Sequence, residues 1–515
     1  MARTRRIIQI IFLLFFFYLF IRARYPYETG ISSDLYLRFS PLAPLFYFID
    51  TLSVPLFFWP ALVILIATLF LGRFFCSWIC PLGSSLDIFD RLFRVPSNKI
   101  SEKWVKLRWL KFGILSSAIV MAIFSIHIWG YFDPLAIMMR LTTIIFYPVT
   151  TVFVESFLIA ASKISFLESL SYKLYDIYKT SIMPESQSYF QGVAGILILL
   201  LIIFGLEKLS SRFWCRYICP AGAWLGFLSQ FRFYERIVAD TCPLCNKCQI
   251  ECKMNAIPKG NVKETNKIEC IECFNCGEKC PPEAKSITYR FTRRPYHSIP
   301  DFSRRQFLGT SVASLAALGL IGIGYHHKTS SYRLIRPPGS IPENEFLDKC
   351  IRCLACVRIC ASNGRCLQPG GLEQNILHLW TPVAVMREGY CEYNCNLCGE
   401  VCPTNAILPL SVETKQKTPM GLAFFDKNLC IPFERHEDCI VCEEHCPTPD
   451  KAIKFDMKEA QLPDGGRRLV KYPYVVRELC IGCGICEEKC PLPNLPGIFV
   501  TRENEKRLLS LNDIA

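Results

Sequence analysis

The sequence is short of the residues that bind haem and nucleotides. It has seven histidines in 515 residues and no C-x-x-C-H run, so c-type haem is excluded on motif grounds. Only His127 falls within a run read as a membrane helix, which leaves a bis-histidine haem in a bilayer without ligands. No G-x-G-x-x-G occurs, so the dinucleotide fingerprint is missing, and nothing points to a flavin. Charge is sparse too: 20% of residues are charged against 51% hydrophobic, and mean hydropathy is +0.25.

Cysteine is abundant. There are 29, and all but Cys76, Cys80, Cys215 and Cys219 lie after residue 240. Disulfide scaffolds are short chains with irregular spacing, whereas this chain is long, its cysteine total is odd and the spacing is regular. Metal ligation is the better expectation. The net charge of +13 could suggest nucleic acid, but the distribution of Lys and Arg points to the cytoplasmic loops of a membrane protein, and no nucleic-acid partner is expected.

Four apolar runs are read as membrane helices: Ile7–Ile21, Val54–Leu71, Phe112–Gly130 and Gly192–Leu206. No small-residue cleavage site follows the first, so it is read as an uncleaved helix rather than a signal peptide. The loop from 83 to 111 carries seven Lys/Arg against three acidic residues, and the much longer stretch from 131 to 190 carries four. That asymmetry puts the first loop inside and leaves 131–190 as an outer loop.

An eleven-residue phrase is written twice, "RFFCSWICPLG" at 73–83 and "RFWCRYICPAG" at 212–222, each after an apolar run. "FSPL" at 39–42 and "FDPL" at 132–135 extend the repeat. Two such repeats pack about a pseudo-two-fold axis, which would bring Cys76, Cys80, Cys215 and Cys219 together. The i, i+4 spacing lets each pair share a helical face. Three uses stay open for these thiols: a metal or iron–sulfur site, a dithiol relay, or small buried hydrophobes.

The C-x2-C-x2-C-x3-C run of two-cluster ferredoxins occurs at Cys242, Cys245, Cys248, Cys252 and at Cys270, Cys273, Cys276, Cys280. In that motif the fourth cysteine serves the other cluster, giving the sets Cys242/Cys245/Cys248/Cys280 and Cys270/Cys273/Cys276/Cys252. Zinc ribbons use separated C-x2-C pairs instead. Four further groups follow: Cys350, Cys353, Cys356, Cys360 without a final proline; Cys391, Cys395, Cys398, Cys402 with a longer first gap; Cys430, Cys439, Cys442, Cys446 with a longer one still; and Cys480, Cys483, Cys486, Cys490 in full form. About six [4Fe-4S] clusters are expected, with a further metal or cluster at the C-x3-C-P pairs left open. Spacing does not fix the exchange of fourth cysteines among the last four groups. A nested pairing, first with last and second with third, is one option, and Cys366 competes with Cys360 as a ligand.

Between the two blocks, Arg304 and Arg305 precede an apolar stretch, Leu308–Tyr325. It reads as a fifth transmembrane helix and also as a twin-arginine signal, the route for cargo already folded around its clusters.

These motifs resemble a known family. Residues 1–300 resemble NapH, a membrane quinol dehydrogenase subunit, with NosR and MauN sharing the module; residues 300–515 resemble NapG and MauM. The chain looks like a natural NapH–NapG fusion. The expected architecture is multidomain: an α-helical membrane domain with about five transmembrane helices, and α+β ferredoxin-like 4Fe-4S domains, one two-cluster and one four-cluster. The expected boundaries are 1–230 for four membrane helices with both C-x3-C-P repeats, 231–300 for a cytoplasmic two-cluster ferredoxin, 301–326 for the twin-arginine-like helix, and 327–515 for an exported four-cluster domain.

The resemblance implies quinol oxidation at a bacterial inner membrane, with electrons drawn from the quinone pool and passed to a periplasmic reductase, of the nitrate reductase type, or to a cytochrome. Two alternatives stand beside it: an electron donor that matures or reactivates a periplasmic metalloenzyme, and a non-redox cluster sensor. Quinol oxidation needs a proton acceptor, for which His127, Asp133, Arg140 and Glu155 are the ionisable candidates beside the helix ends.

Overall fold

The computed structural model describes residues 1–26, 30–93, 105–164, 166–181, 189–283, 286–292, 302–327, 333–373, 375–461 and 466–510. Part of the basic loop expected at 83–111 and the expected domain junction near 300 lie outside these. The chain forms two compact units. The first comprises Met1–Arg22, Ser33–Ile145 and Val193–Tyr325; the second comprises Ala23–Ser32, Phe146–Gly192 and His326–Ala515.

The first unit is built on apolar helices. Ala2–Arg22 presents Ile7, Ile10, Ile11 and Leu14 outward and buries Arg5, Gln9 and Phe16. Trp59–Leu71 begins with Pro60 in its first turn, where a missing N–H costs nothing, and leaves Val63, Ile66 and Phe70 exposed. Val193–Glu207 likewise exposes Leu197, Ile198, Leu201 and Ile202. Contiguous apolar surface of this kind marks a membrane or protein contact. Among the described residues two helices are long and apolar enough to cross a membrane, Ala2–Arg22 and Pro134–Ser162, with Leu56–Leu71 and Val193–Glu207 as shorter apolar helices.

Two expectations are corrected here. The third helix runs Trp109–Ile123, not to Gly130. Ser125 takes a left-handed φ of 56°, and Ile126 N–H bonds back to Met121 O at 3.0 Å, a Schellman stop. His127 therefore lies beyond the helix. The stretch 131–190, expected as a loop, holds Pro134–Ser162 and Glu168–Ser181. Pro134 starts the first of these behind the Asp133 cap, and a π-turn at Thr142–Phe146 absorbs the strain ahead of Pro148.

Each C-x3-C-P phrase folds the same way. A short helix, Phe75–Trp78 or Phe213–Tyr217, is followed by a longer one, Pro81–Leu92 or Pro220–Ser229, capped by the second cysteine. Beyond them, the strands Tyr234–Val238 and Ile287–Phe291 pair antiparallel, Tyr234 against Phe291 and Val238 against Ile287, and enclose the first two cysteine groups.

Among the described residues the second unit has three two-stranded antiparallel sheets: Leu367–Pro369 with Pro382–Ala384, Leu422–Phe425 with Ile498–Thr501, and Ile453–Gln461 with Arg467–Val475. One-turn helices between them carry the cysteines.

Candidate metal centres

A common local geometry holds the cysteine groups. In five of the six, the third cysteine is the second residue of a four-residue helix: Lys247–Ile250, Asn275–Glu278, Leu397–Glu400, Val441–Glu444 and Ile485–Glu488. In the sixth it takes the same place in Ala355–Cys360. In the four groups with uniform x2 gaps, the residues flanking the second cysteine are left-handed: Leu244 and Asn246, Glu272 and Phe274, Arg352 and Leu354, Gly482 and Gly484. Leucine, phenylalanine and arginine do not adopt that conformation without strain, and strain held repeatedly at one place marks a functional site. It turns successive N–H groups to one side and forms an anion nest of the sort found around iron–sulfur clusters.

The sulfurs gather across groups. Cys252 lines one pocket with Cys270, Cys273 and Cys276. Cys248 lies within electrostatic reach of Cys242 and Cys245, while Cys280 is half-buried. In the second unit, Cys430, Cys439, Cys442 and Cys490 line one pocket, and Cys446, Cys480, Cys483 and Cys486 another. Cys360, Cys366, Cys391, Cys395 and Cys398 share a third. Cys350, Cys353 and Cys402 surround Cys356. Fourth cysteines thus pass between neighbouring groups, first with second and third with fourth. The nested pairing does not occur, because each fourth cysteine follows directly on the one-turn helix that packs against its sequence neighbour.

The sulfurs are too far apart for a single ion. Zinc thiolates at about 2.3 Å from the metal sit about 3.8 Å from one another, and no three cysteine sulfurs among the described residues lie within 4.8 Å of each other. All described cysteines are free thiols. Burial pushes the thiols of Cys430 and Cys442 up to about 12, so a metal must take the place of the proton for thiolates to persist there. Backbone N–H groups already face the fourth sulfurs: Ala256 N–H to Cys252 at 3.2 Å, Ile407 to Cys402 at 3.4 Å, Ala452 to Cys446 at 3.4 Å and Gly497 to Cys490 at 3.3 Å. Such bonds set cluster potentials.

The structure places the four quinol candidates as follows. Asp133 is fully buried, caps the helix from Pro134 by accepting from Ala136 N–H at 3.0 Å, and accepts from Ser40 Oγ at 2.7 Å. Ser40 and Asp133 are the equivalent residues of "FSPL" and "FDPL", so the two halves of the repeat meet at this bond. Arg140 donates to the carbonyls of Gly130 and Tyr131, each at 3.0 Å. His127 is buried with its ring edge-on to Phe46, 6.4 Å between centroids. Glu155 belongs to the second unit.

Residues unassigned by sequence reasoning connect the repeats. Arg212 donates to Cys76 O at 2.7 Å, Gly83 O at 3.1 Å and Asp87 Oδ2 at 2.8 Å. Arg5 and Lys253 also pair with Asp87, at 3.2 and 2.8 Å. Both Arg73 and Arg212 open the duplicated phrase; the duplication was the signal.

Comparison with known proteins agrees with this chemistry. A family model described as a 4Fe-4S binding domain matches residues 53–99 and again 192–237, and a second of the same description matches 473–492. Each of the first two segments holds only two cysteines. The methylamine utilization ferredoxin-type protein MauM of Methylorubrum extorquens is 34% identical over 35% of this chain and 80% of its own length. The ferredoxin-type protein NapG of Escherichia coli is 34% identical over 36% of this chain and 79% of its own. The putative electron transport protein YccM of Escherichia coli is 26% identical over 58% and 76%. No solved structure matches.

Proposed function

This chain belongs to the family of ferredoxin-type iron–sulfur electron-transfer proteins that includes NapG and MauM, and on that premise we propose that it oxidises quinol at a membrane and passes the electrons to an acceptor on the far side. The observation that carries the reading is the grouping of cysteines, four at a time, around successive cavities in both units. Six [4Fe-4S] clusters fill those groups in this reading. Their ligands are Cys242/Cys245/Cys248/Cys280, Cys270/Cys273/Cys276/Cys252, Cys350/Cys353/Cys356/Cys402, Cys391/Cys395/Cys398 with Cys360 or Cys366, Cys430/Cys439/Cys442/Cys490 and Cys480/Cys483/Cys486/Cys446. The clusters supply one-electron steps; the protein positions them and sets their potentials with N–H donors and burial.

The inner-membrane location is supported by the apolar helices and by what gathers at one end of the first. Arg5 pairs with Asp87 just past Cys80, and Arg6 pairs with Glu278 beside Cys280. The N-terminus, the C-x3-C-P turns and the two-cluster segment therefore share one side, taken as cytoplasmic from its basic residues. Residues 327–515 then lie in the periplasm, exported after Arg304–Arg305. Anaerobic mixing of the purified chain with a quinol analogue tests this. Bleaching of the visible cluster absorbance is expected. Bleaching by dithionite but not by quinol removes quinol oxidation and leaves electron transfer. Donation of electrons to a maturing metalloenzyme is the second reading.

A further inference from the structure

The thiols of Cys76, Cys80, Cys215 and Cys219 have no part in the six groups above. All four are buried, and their mutual electrostatic neighbours cross the repeat: Cys80 couples to Cys215 and Cys76, and Cys219 to Cys215, Cys76 and Cys80. Cys80 and Cys219 hold equivalent places. Each sulfur accepts from the N–H three residues on, Gly83 at 3.5 Å and Gly222 at 3.3 Å, at the start of a helix of ten residues or more.

The two arginines of the repeat cross over. Arg212 reaches Cys76 O and Gly83 O in the first phrase. Arg73 reaches the second, where a Cβ on Gly222 would lie 2.8 Å from its Nη2. Arg73 is fully buried among Cys76, Cys215 and Cys219. Its Nη1 donates to Ile268 O at 2.8 Å, but its Nε and Nη2 have no hydrogen-bond partner. Arg73 also pairs with Glu269 through Nη1 at 3.5 Å, yet the two unmet donors of its buried guanidinium, on the side of the thiols, are placed to meet a further anion. Protonated thiols or packing hydrophobes do not supply one. The sulfurs stand too far apart for a single zinc-like ion.

We propose that these four cysteines ligate one further [4Fe-4S] cluster, two from each half of the repeat, with Arg73 and Arg212 as positioning residues. Four thiolates around a cubane core leave a net negative group, which the two guanidiniums offset. Each segment matched by the 4Fe-4S family model thus holds half a ligand set. The placement also gives the cluster a use, which rests on the electron-transfer reading. Ser77 Oγ donates to Ile271 O at 2.6 Å and Trp78 Nε1 to Glu272 O at 3.1 Å, binding the first turn to the loop between Cys270 and Cys273. One electron leaves this cluster, which is oxidised, and reduces the Cys252/Cys270/Cys273/Cys276 cluster, with no bond made or broken.

The test is iron and acid-labile sulfide per chain in the anaerobically purified full-length protein, with Mössbauer and EPR spectra, for wild type and for the variants C76S/C80S and C215S/C219S. Wild type is expected to hold about 28 iron, and either variant about 24, since half a ligand set holds no cluster. Wild type at about 24 overturns the proposal even if neither variant folds, and so does an unchanged count in both variants. Iron-free wild type sinks the electron-transfer reading and this proposal together; about 24 sinks this one alone. Arg73→Gln is expected to keep the iron and lower the midpoint potential of the signal that C76S/C80S loses. An unmoved midpoint removes Arg73 from the site.

Discussion

At the scale of single residues, Cys360 and Cys366 pose the sharpest question. Their sulfurs lie 3.9 Å apart on the cavity shared with Cys391, Cys395 and Cys398, and both are within reach of Cys391 and Cys398. A cubane iron takes one thiolate. Either sulfur can move into the place of the other, so Cys360→Ser and Cys366→Ser are each expected to retain full iron content, and the double variant to lose about four iron per chain. Loss in one single variant alone identifies the sole ligand and ends the exchange. The cysteine spacing made these groups legible in sequence, but the partner of each fourth cysteine was not, because it depends on which one-turn helices pack together. The strained flanks were half visible: Gly482 and Gly484 advertise a left-handed backbone, whereas Leu244, Phe274 and Leu354 adopt it with no sign in their chemistry.

At the scale of elements, the helices with plain apolar periodicity were readable and their ends were not. The stop after Ile123 rests on Ser125, a residue with no special preference for a left-handed φ. The helix from Pro134 was hidden by Arg140 and Glu155, charges that suggest a loop until Arg140 is seen bonded to the carbonyls of the preceding turn. The helix Pro81–Leu92 carries a buried carboxylate that several cations share. Asp87 is buried and pairs with Arg5, Arg212 and Lys253, linking the first helix, the second repeat and the two-cluster segment. Removing one partner of such a network leaves buried charges uncompensated, at about 3–5 kcal/mol. Asp87→Ala is therefore expected to lower the unfolding temperature markedly and to reduce cluster loading in the 242–280 segment. Asp90→Ala, which loses contacts to Lys253, Ser211 and the Glu207 carboxyl but breaks no link to Arg5 or Arg212, should do less. The comparison is read by thermal unfolding in detergent with iron counts; equal losses would show that Asp87 is not the hub.

For the whole molecule, the issue is where the second unit ends up. It groups its sixteen motif cysteines through loops that only close when the chain is folded, since Cys446 reaches forward to Cys480, Cys483 and Cys486, and Cys490 back to Cys430, Cys439 and Cys442. Unfolded export would carry those thiols, bare, into an oxidising compartment, where neighbours such as Cys360 and Cys366 would be placed to form disulfides rather than ligate iron. In the export proposed above, loading first and crossing afterwards would avoid that outcome, and Arg304 and Arg305, both exposed at the start of the helix Arg304–His327, are the pair that a translocase for folded cargo would read. The variant R304K/R305K keeps the positive charge that orients a helix and changes only the recognised pair. A periplasm-dependent reporter fused after Ala515, itself outside the described residues, is expected to be active on the wild-type chain and to lose most of its activity on the variant, with the first unit still in the membrane fraction. A reporter equally active on both would mean that the helix inserts by its hydrophobicity alone and that the second unit crosses before it acquires its clusters.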